Sequence, residues 1–257
     1  MKFYKLHGAG NDFVFFAGIR SLKKDKIIEL CNRNYGIGAD GIIIITKSRS
    51  NFDFLMKYYN SDGSKADFCA NGARCAVLLA HNLNYFKEKK CRFKAGDGEH
   101  SAEILSGGSI KLKMKKPDGY AKGLKFGKVK EEFFFLNTGV EHTIGFFEDI
   151  SKLDVEKMGR VIRYDARFSK GTNVNFIQKS GKYLLKIRTY ERGVESETRA
   201  CGTGITASGY LDMMLTNDFS ARTIITADGI ELKVNHEKNK LFLSGPAELV
   251  FEGIIKL

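Results

Sequence analysis

Two of the five cysteines stand in matched surroundings. Cys69 opens the run Cys69-Ala70-Asn71-Gly72-Ala73-Arg74, and Cys201 opens Cys201-Gly202-Thr203-Gly204-Ile205-Thr206. Each run follows a strand-like segment and a turn, and each continues into small and apolar residues, 75–83 in one case and 207–215 in the other. Strand, loop, cysteine, C-x-[NT]-G and helix therefore occur twice, the signature of an internal repeat. A thiol just before a helix faces unpaired N–H groups and the positive end of the helix dipole, which favours the thiolate. Ala70, Gly72, Gly202 and Gly204 are small enough for backbone amides to approach a ligand closely. A carboxylate held there would meet donors as charge moved into it from an adjacent carbon, the setting for removal of an α-proton. Inversion of that carbon needs a base on one face and an acid on the other, and two repeated halves with one cysteine each would supply both.

Cys31, Cys75 and Cys91 lack this repeated context and read as small buried hydrophobes. Five cysteines without C-x-x-C spacing argue against a disulfide framework and against a zinc site.

The elements that must position the cysteines are mixed. Strands are expected near residues 3–5, 13–17, 41–46, 52–59, 91–95, 101–105 and 109–114, with helices over 24–34 and 76–83. Pro117, one of two prolines, sits in Lys115-Lys116-Pro117-Asp118-Gly119, a polar turn cluster that places a domain boundary. Beyond it, strands are expected at 133–136, 142–147, 173–178, 183–189, 222–227, 231–234 and 240–244. Helices are expected over 151–160 and after Cys201. The reading is two domains, residues 1–116 completed by a strand in 247–257, and residues 117–246.

The chain has 257 residues, 43% of them hydrophobic, enough for real cores. Its net charge of +12 is spread over scattered lysines, which fits a solvated basic surface that attracts an anionic substrate and predicts no nucleic-acid partner. The start, MKFYKLHGAG, does not read as a signal peptide, and no apolar run approaches the roughly 20 residues of a membrane span. A cytoplasmic location and no membrane partner are expected.

Seven ordered segments resemble the diaminopimelate epimerase family of pyridoxal-independent racemases. They are Lys5-Leu6-His7-Gly8-Ala9-Gly10-Asn11-Asp12-Phe13, Gly36-Ile37-Gly38-Ala39-Asp40-Gly41, Tyr59-Asn60-Ser61-Asp62-Gly63-Ser64, the Cys69 run through Cys75, and Thr172-Asn173-Val174-Asn175-Phe176. Tyr190-Glu191-Arg192-Gly193, continued by Thr198-Arg199-Ala200-Cys201-Gly202-Thr203-Gly204, and the ending from Ser244 to Gly253 complete the set. The resemblance implies an α+β fold of two pseudo-symmetric domains, each a β-barrel-like sheet around a central helix, with the active site in the cleft between them. It implies epimerisation of LL- and meso-diaminopimelate without metal or other cofactor, with Cys69 and Cys201 as the acid–base pair and His142 and Glu191 beside the α-amino group. It assigns Asn11, Ala70, Asn71, Gly202 and Thr203 to the reacting end of the substrate, and Asn60, Asn173 and Arg192 to the far end. The expected partners are this small molecule and a second copy of the chain in a homodimer.

Two positions depart from the family pattern. Ala70 stands where glycine is usual, and Gly139-Val140-Glu141-His142 replaces a segment with Asn-Pro before the histidine, so Val140 cannot donate a side-chain hydrogen bond. A racemase of the same fold acting on histidine, proline or another amino acid therefore stays open. So do an inactive basic binding protein and a redox role for two close thiols. Arg192 could instead be a surface ion pair with Glu191 or Glu195.

Overall fold

The computed structural model describes residues 1–127 and 129–256. The chain divides into two units, Met1–Leu112 with the segment from Gly245 onward, and Lys113–Ser244.

In the first unit, β1 (Lys2–Gly8) pairs antiparallel with β2 (Asn11–Ala17), and α1 (Lys24–Cys31) connects β2 to the parallel strand β3 (Gly41–Lys47). Antiparallel β4 (Phe54–Asn60) and the short β5 (Lys65–Ala66) follow, and then α2 (Ala70–Asn82) crosses over to β6 (Lys90–Ala95), parallel to β4. β7 (Gly98–Ile104) and β8 (Ile110–Met114) extend the sheet as an antiparallel meander.

The second unit repeats this plan strand for strand. β9 (Asp118–Leu124) pairs with β10 (Phe133–Asn137), which pairs with β11 (Glu141–Phe147). Helix α3 (Val155–Arg163) crosses over to the parallel strand β12 (Asn173–Lys179), and β13 (Leu184–Glu191) and β14 (Ser196–Thr198) follow antiparallel. Helix α4 (Gly202–Thr216) crosses over to β15 (Arg222–Ile225), parallel to β13, and β16 (Glu231–Glu237) and β17 (Lys240–Gly245) complete the meander. The last strand, β18 (Glu248–Ile254), pairs antiparallel with β1. Parallel neighbours need a crossover connection, so each unit's two parallel pairs explain its two helices.

Each sheet wraps around one of those helices. α2 contacts β1, β2, β3, β4, β7 and β18, and α4 contacts β10, β11, β12, β13, β15 and β16. A helix surrounded in this way has no solvent face, and residues 204–213 of α4 are buried without interruption. The outer helices α1 and α3 cover the other side of the parallel strands, so β2 and β3 are buried on both faces. Val14, Phe16, Ile42 and Ile44 pack with Ile27 and Leu30 of α1. The alternate residues Phe13 and Ile43 turn to α2, where a Cβ at Gly72 would come within 2.4 Å of Ile43 Cδ1, so only glycine lets the central helix lie this close. In the second unit Val174, Phe176 and Tyr190 join Val155 and Ile162 of α3.

Several expected bounds shift. Helix α1 stops at Cys31, because Asn32 turns extended and its side chain accepts from the amides of Asn34 and Tyr35. Helix α3 begins at Val155 instead of residue 151, because Asp154 is the N-cap and accepts from Lys157 N–H, while Ser151 is bonded to Asp149. The polar cluster around Pro117 is no simple turn: Asp118 already starts β9, a largely exposed strand without the alternation that pattern reading relies on.

Candidate active site

Both matched cysteines are helix N-caps with extended backbone, Cys69 on α2 and Cys201 on α4. Cys69 is half-buried and Cys201 is buried. The Cys69 Sγ accepts from Gly72 N–H at 3.5 Å, and Sγ also lies 3.6 Å from Asn11 Oδ1, to which it donates as a thiol. The Cys201 Sγ lies 3.4 Å from Thr203 Oγ1. Cys69 thus has a donor of the first helical turn beside it, and Cys201 has the Thr203 hydroxyl, at helix starts of the kind that favour a thiolate. The other cysteines are unlike them. Burial pushes Cys31 up to about 11 and Cys91 up to about 12, and raises Cys75 as well, which keeps all three protonated.

Around Cys69 the amides are ordered. Asn11 lies at the start of β2 and Asn71 in the first turn of α2, and Asn71 Nδ2 donates to Asn11 Oδ1 at 3.3 Å. Asn11 Nδ2 in turn donates to Asp40 Oδ2 at 2.6 Å. Asp40 is held by Arg33 at 2.7 Å, and Arg33 also binds Asp12. Burial opposes the Asp12 charge, but Arg33 and Lys5 overcome it and hold Asp12 down at about 2. Ala70 is buried as the first residue of α2. Asn60 ends β4 in a turn closed by its Nδ2 on Ser64 Oγ at 3.0 Å.

Around Cys201 the central residue is His142, fully buried on β11. Asn175 Nδ2 donates to Thr143 O at 3.3 Å and faces His142 Nδ1 at 3.2 Å, while Asn175 Oδ1 accepts from Thr189 Oγ1 at 3.1 Å. With the amide so oriented, Nδ1 is the acceptor and the imidazole proton sits on Nε2. Burial, aided by the Arg192 charge, lowers His142 to about 3, so the ring is neutral. Its Nε2 is buried and has no hydrogen-bond partner among the described residues, so a donor is left for a ligand. A Cβ at Gly204 would lie 3.3 Å from His142 Cε1 and 2.2 Å from Asn175 Oδ1, which places this pair against the first turn of α4. A neutral ring donating at Nε2 suits a carboxylate, a thiolate or an amine lone pair; an ammonium group would need an acceptor such as Glu191 instead. Glu191 ends β13 and accepts from Thr198 Oγ1 at 2.7 Å.

Arg192 makes an ion pair with Glu141, at 2.9 Å, while Glu195 pairs with Arg163. The same Arg192 Nη1 donates to Lys170 O and Gly171 O. Asn173 ties the strand ends together, donating to Glu141 O and accepting from Arg192 N–H, both at 3.0 Å. Gly202 and Thr203 open α4. Asn11, Asn60, Ala70, Asn71 and Cys69 thus belong to the first unit, and His142, Asn173, Glu191, Arg192, Cys201, Gly202 and Thr203 to the second.

Four residues escaped the sequence reading. Arg74 and Asp40 lie inside quoted motifs but carried no role. Asn175 gave only a polar position alternating with Val174 and Phe176 on β12, a signal that points to solvent unless the inner face is known to hold a helix. Thr138 is buried in the β10–β11 turn beside Val140, with an Oγ1 that has no partner among the described residues.

Among the described residues no group of three or more His, Cys, Asp or Glu side chains is placed to hold a metal ion, and no helix is long and apolar enough to cross a membrane.

The repeated sheet-around-helix fold is shared with solved structures of low sequence identity. A PhzF-family phenazine biosynthesis protein from Bacillus anthracis superposes with a TM-score of 0.76 at 12% identity, covering 100% of this chain and 99% of that one. A hydroxyproline epimerase from Agrobacterium vitis superposes with a TM-score of 0.67 at 12% identity, covering 98% and 91%. The sequence is more specific. A family model described as diaminopimelate epimerase matches residues 3–118 and 134–250. A diaminopimelate epimerase from Flavobacterium psychrophilum is 40% identical over 99% of this chain and 100% of its own length, and one from Hydrogenobaculum sp. is 38% identical over 98% and 97%. The chain belongs to the diaminopimelate epimerase family, and so to the isomerases.

Proposed function

We propose that this protein interconverts LL- and meso-diaminopimelate by passing a proton through Cys69 and Cys201, one as thiolate base and the other as thiol acid. The observation that carries the reading is that both cysteines are N-caps of the two central helices, at equivalent points of a structural repeat. One thiolate takes the α-proton, and the pair of electrons passes into the substrate carboxylate, met by amides of the first helical turns. The opposite thiol returns a proton to the other face, so each turnover exchanges the protonation states of the two sulfurs. Asn11, Asn71, Ala70, Gly202 and Thr203 hold the reacting end, with the His142 Nε2–H as a further donor and Glu191 as acceptor for the amino group. Arg192 and Asn173, with Asn60, serve the far end, where a second carboxylate would compete with Glu141 for the guanidinium. Thr138 supplies beside Val140 a hydroxyl that can stand in for the missing asparagine donor.

The Arg192–Glu141 pair is also the observation that favours a second reading, a racemase for an amino acid with a single carboxylate. Assay of diaminopimelate beside proline, histidine and other single-headed amino acids separates the two. In deuterated water, inversion should place deuterium at the inverted carbon, and inversion without solvent label would sink the two-base mechanism. Cys69→Ser and Cys201→Ser should each nearly abolish inversion.

The same reading makes the protein a cytoplasmic enzyme of lysine and peptidoglycan precursor synthesis that works without cofactor. It also makes it a homodimer, supported by the exposed apolar side chains of Leu249, Val250, Phe251 and Ile254 on β18. Sedimentation of the purified chain tests the dimer.

A further inference from the structure

Arg74 is fully buried in α2, one turn beyond Cys69. Its guanidinium donates to Pro246 O at 3.3 Å, to Ala70 O at 3.4 Å and to Asn71 Oδ1 at 2.8 Å. All three acceptors are neutral, and no carboxylate pairs with Arg74 among the described residues. A buried cation is costly unless an anion balances it. Burial pulls Arg74 below its ordinary range, and the groups whose charge would steady it are the thiols of Cys75 and Cys69. Cys75 is itself fully buried and held protonated, which leaves Cys69 as the anion that can form.

The hydrogen bonds carry a second constraint. Arg74 can only donate, so Asn71 must turn its Oδ1 to it and its Nδ2 to Asn11. Asp40, bound to Arg33, accepts through its carboxylate, so Asn11 must turn its Nδ2 to it and its Oδ1 to Cys69. The chain Arg74–Asn71–Asn11–Asp40 thus has one polarity, fixed at both ends. Its middle presents an acceptor to the Cys69 thiol.

We propose that Arg74 is a positioning residue for the Cys69 half of the reaction: its buried charge stabilises the thiolate, and its fork locks the Asn71 and Asn11 amides that hold the thiol. This inference rests on the two-cysteine reading, in which Cys69 must visit both states in every catalytic cycle. Asn11 Oδ1 serves the protonated state, and Gly72 N–H together with Arg74 serves the ionised one. The ionisable groups on or beside the strands packed around α2 include Lys5, His7, Asp12, Asp40, His100 and Glu248, with His7 paired to Glu248 and His100 to Asp97.

The test follows iodoacetamide alkylation of Cys69 against pH, read by peptide mass spectrometry, in the full-length wild type, Arg74→Lys and Arg74→Met. Removing a cation this near should move the Cys69 midpoint up by about one pH unit or more. Arg74→Met should also lower kcat tenfold or more, with a smaller change in KM. Arg74→Lys, which keeps the charge but not the fork, should hold the midpoint close to wild type while kcat recovers only in part. A wild-type midpoint in Arg74→Met, or equal shifts in Met and Lys, would overturn the proposal and leave Arg74 a packing residue. If Arg74→Met does not fold, the neutral polar Arg74→Gln takes its place under the same criteria. Failure of the two-cysteine reading looks different: Cys69→Ala would then retain full epimerase activity whatever the Arg74 variants do.

Discussion

The state of His142 makes the sharpest prediction. Its folded value near 3 lies well below the ordinary value of about 6.5 that it regains on unfolding. Between those values the unfolded chain binds a proton that the folded chain does not. Stability is therefore fully present above about pH 6.5 and is lost as the pH falls toward 3. The slope from this one group is about 1.4 kcal/mol per pH unit, so at pH 5 it alone costs about 2 kcal/mol. The expectation is that His142→Gln, which removes the titration, flattens the fall in urea-unfolding free energy between pH 7 and pH 5 by about that amount relative to wild type. The remaining histidines and carboxylates titrate in both proteins and cancel in the comparison. Nuclear magnetic resonance of the imidazoles gives an independent check, with one ring showing an Nε2–H tautomer and no titration down to pH 4.5. A midpoint near 6.5 for His142, an Nδ1–H tautomer, or parallel stability curves for wild type and variant would refute the burial reasoning and the tautomer derived from Asn175.

Other consequences can be checked with equally direct measurements. Arg222 and Asp212 form a buried ion pair at 2.6 Å, and Lys179 holds a second positive charge on Asp212 at 2.7 Å, so Arg222→Met should cost about 1–3 kcal/mol by urea unfolding. The double variant Arg222→Met/Asp212→Leu should recover most of it, and equal losses in single and double variants would contradict the reasoning. Gly204→Ala would drive a methyl into Asn175 Oδ1, displacing the amide that fixes His142; the expected result is a fall in kcat/KM of tenfold or more with about 1–3 kcal/mol of lost stability. Unchanged kinetics would separate Asn175 from the site. At pH 8 the thiolate fraction of Cys31, held up to about 11, is about a thousandth, so native-state alkylation should leave Cys31 and Cys91 essentially unlabelled while Cys69 reacts. Labelling of either at a rate comparable to Cys69 would refute the assigned burial.

Much of this protein is legible because its information is local. A cysteine followed by small residues and an apolar run marks a helix start, and its repetition marks a duplicated fold; Cys69 and Cys201 are N-caps as that pattern requires. The three other cysteines read correctly as buried hydrophobes for the same reason. Errors cluster where side chains compete for backbone groups. Asp154 outcompeted Ser151 for the start of α3, and Asn32 ended α1 early; β9 failed to register because an exposed strand lacks hydrophobic alternation.

The partnerships that tune the site span long stretches of chain. Arg192 lies 51 residues from its partner Glu141, and the nearby Glu195 is bound to Arg163. Asn175 meets His142 across a parallel pair joined through α3, and Arg74 reaches Pro246 across most of the chain. By itself the sequence determined that Cys69 and Cys201 stand at two helix starts, since residue type and spacing act within a turn or two of backbone. Only the tertiary structure decided which charges are buried without a counterion, which tautomer His142 holds and which way the amides of Asn11 and Asn71 point. Desolvation and hydrogen-bond polarity are set by whatever surrounds a group in space, and that is fixed only when each sheet closes around its central helix.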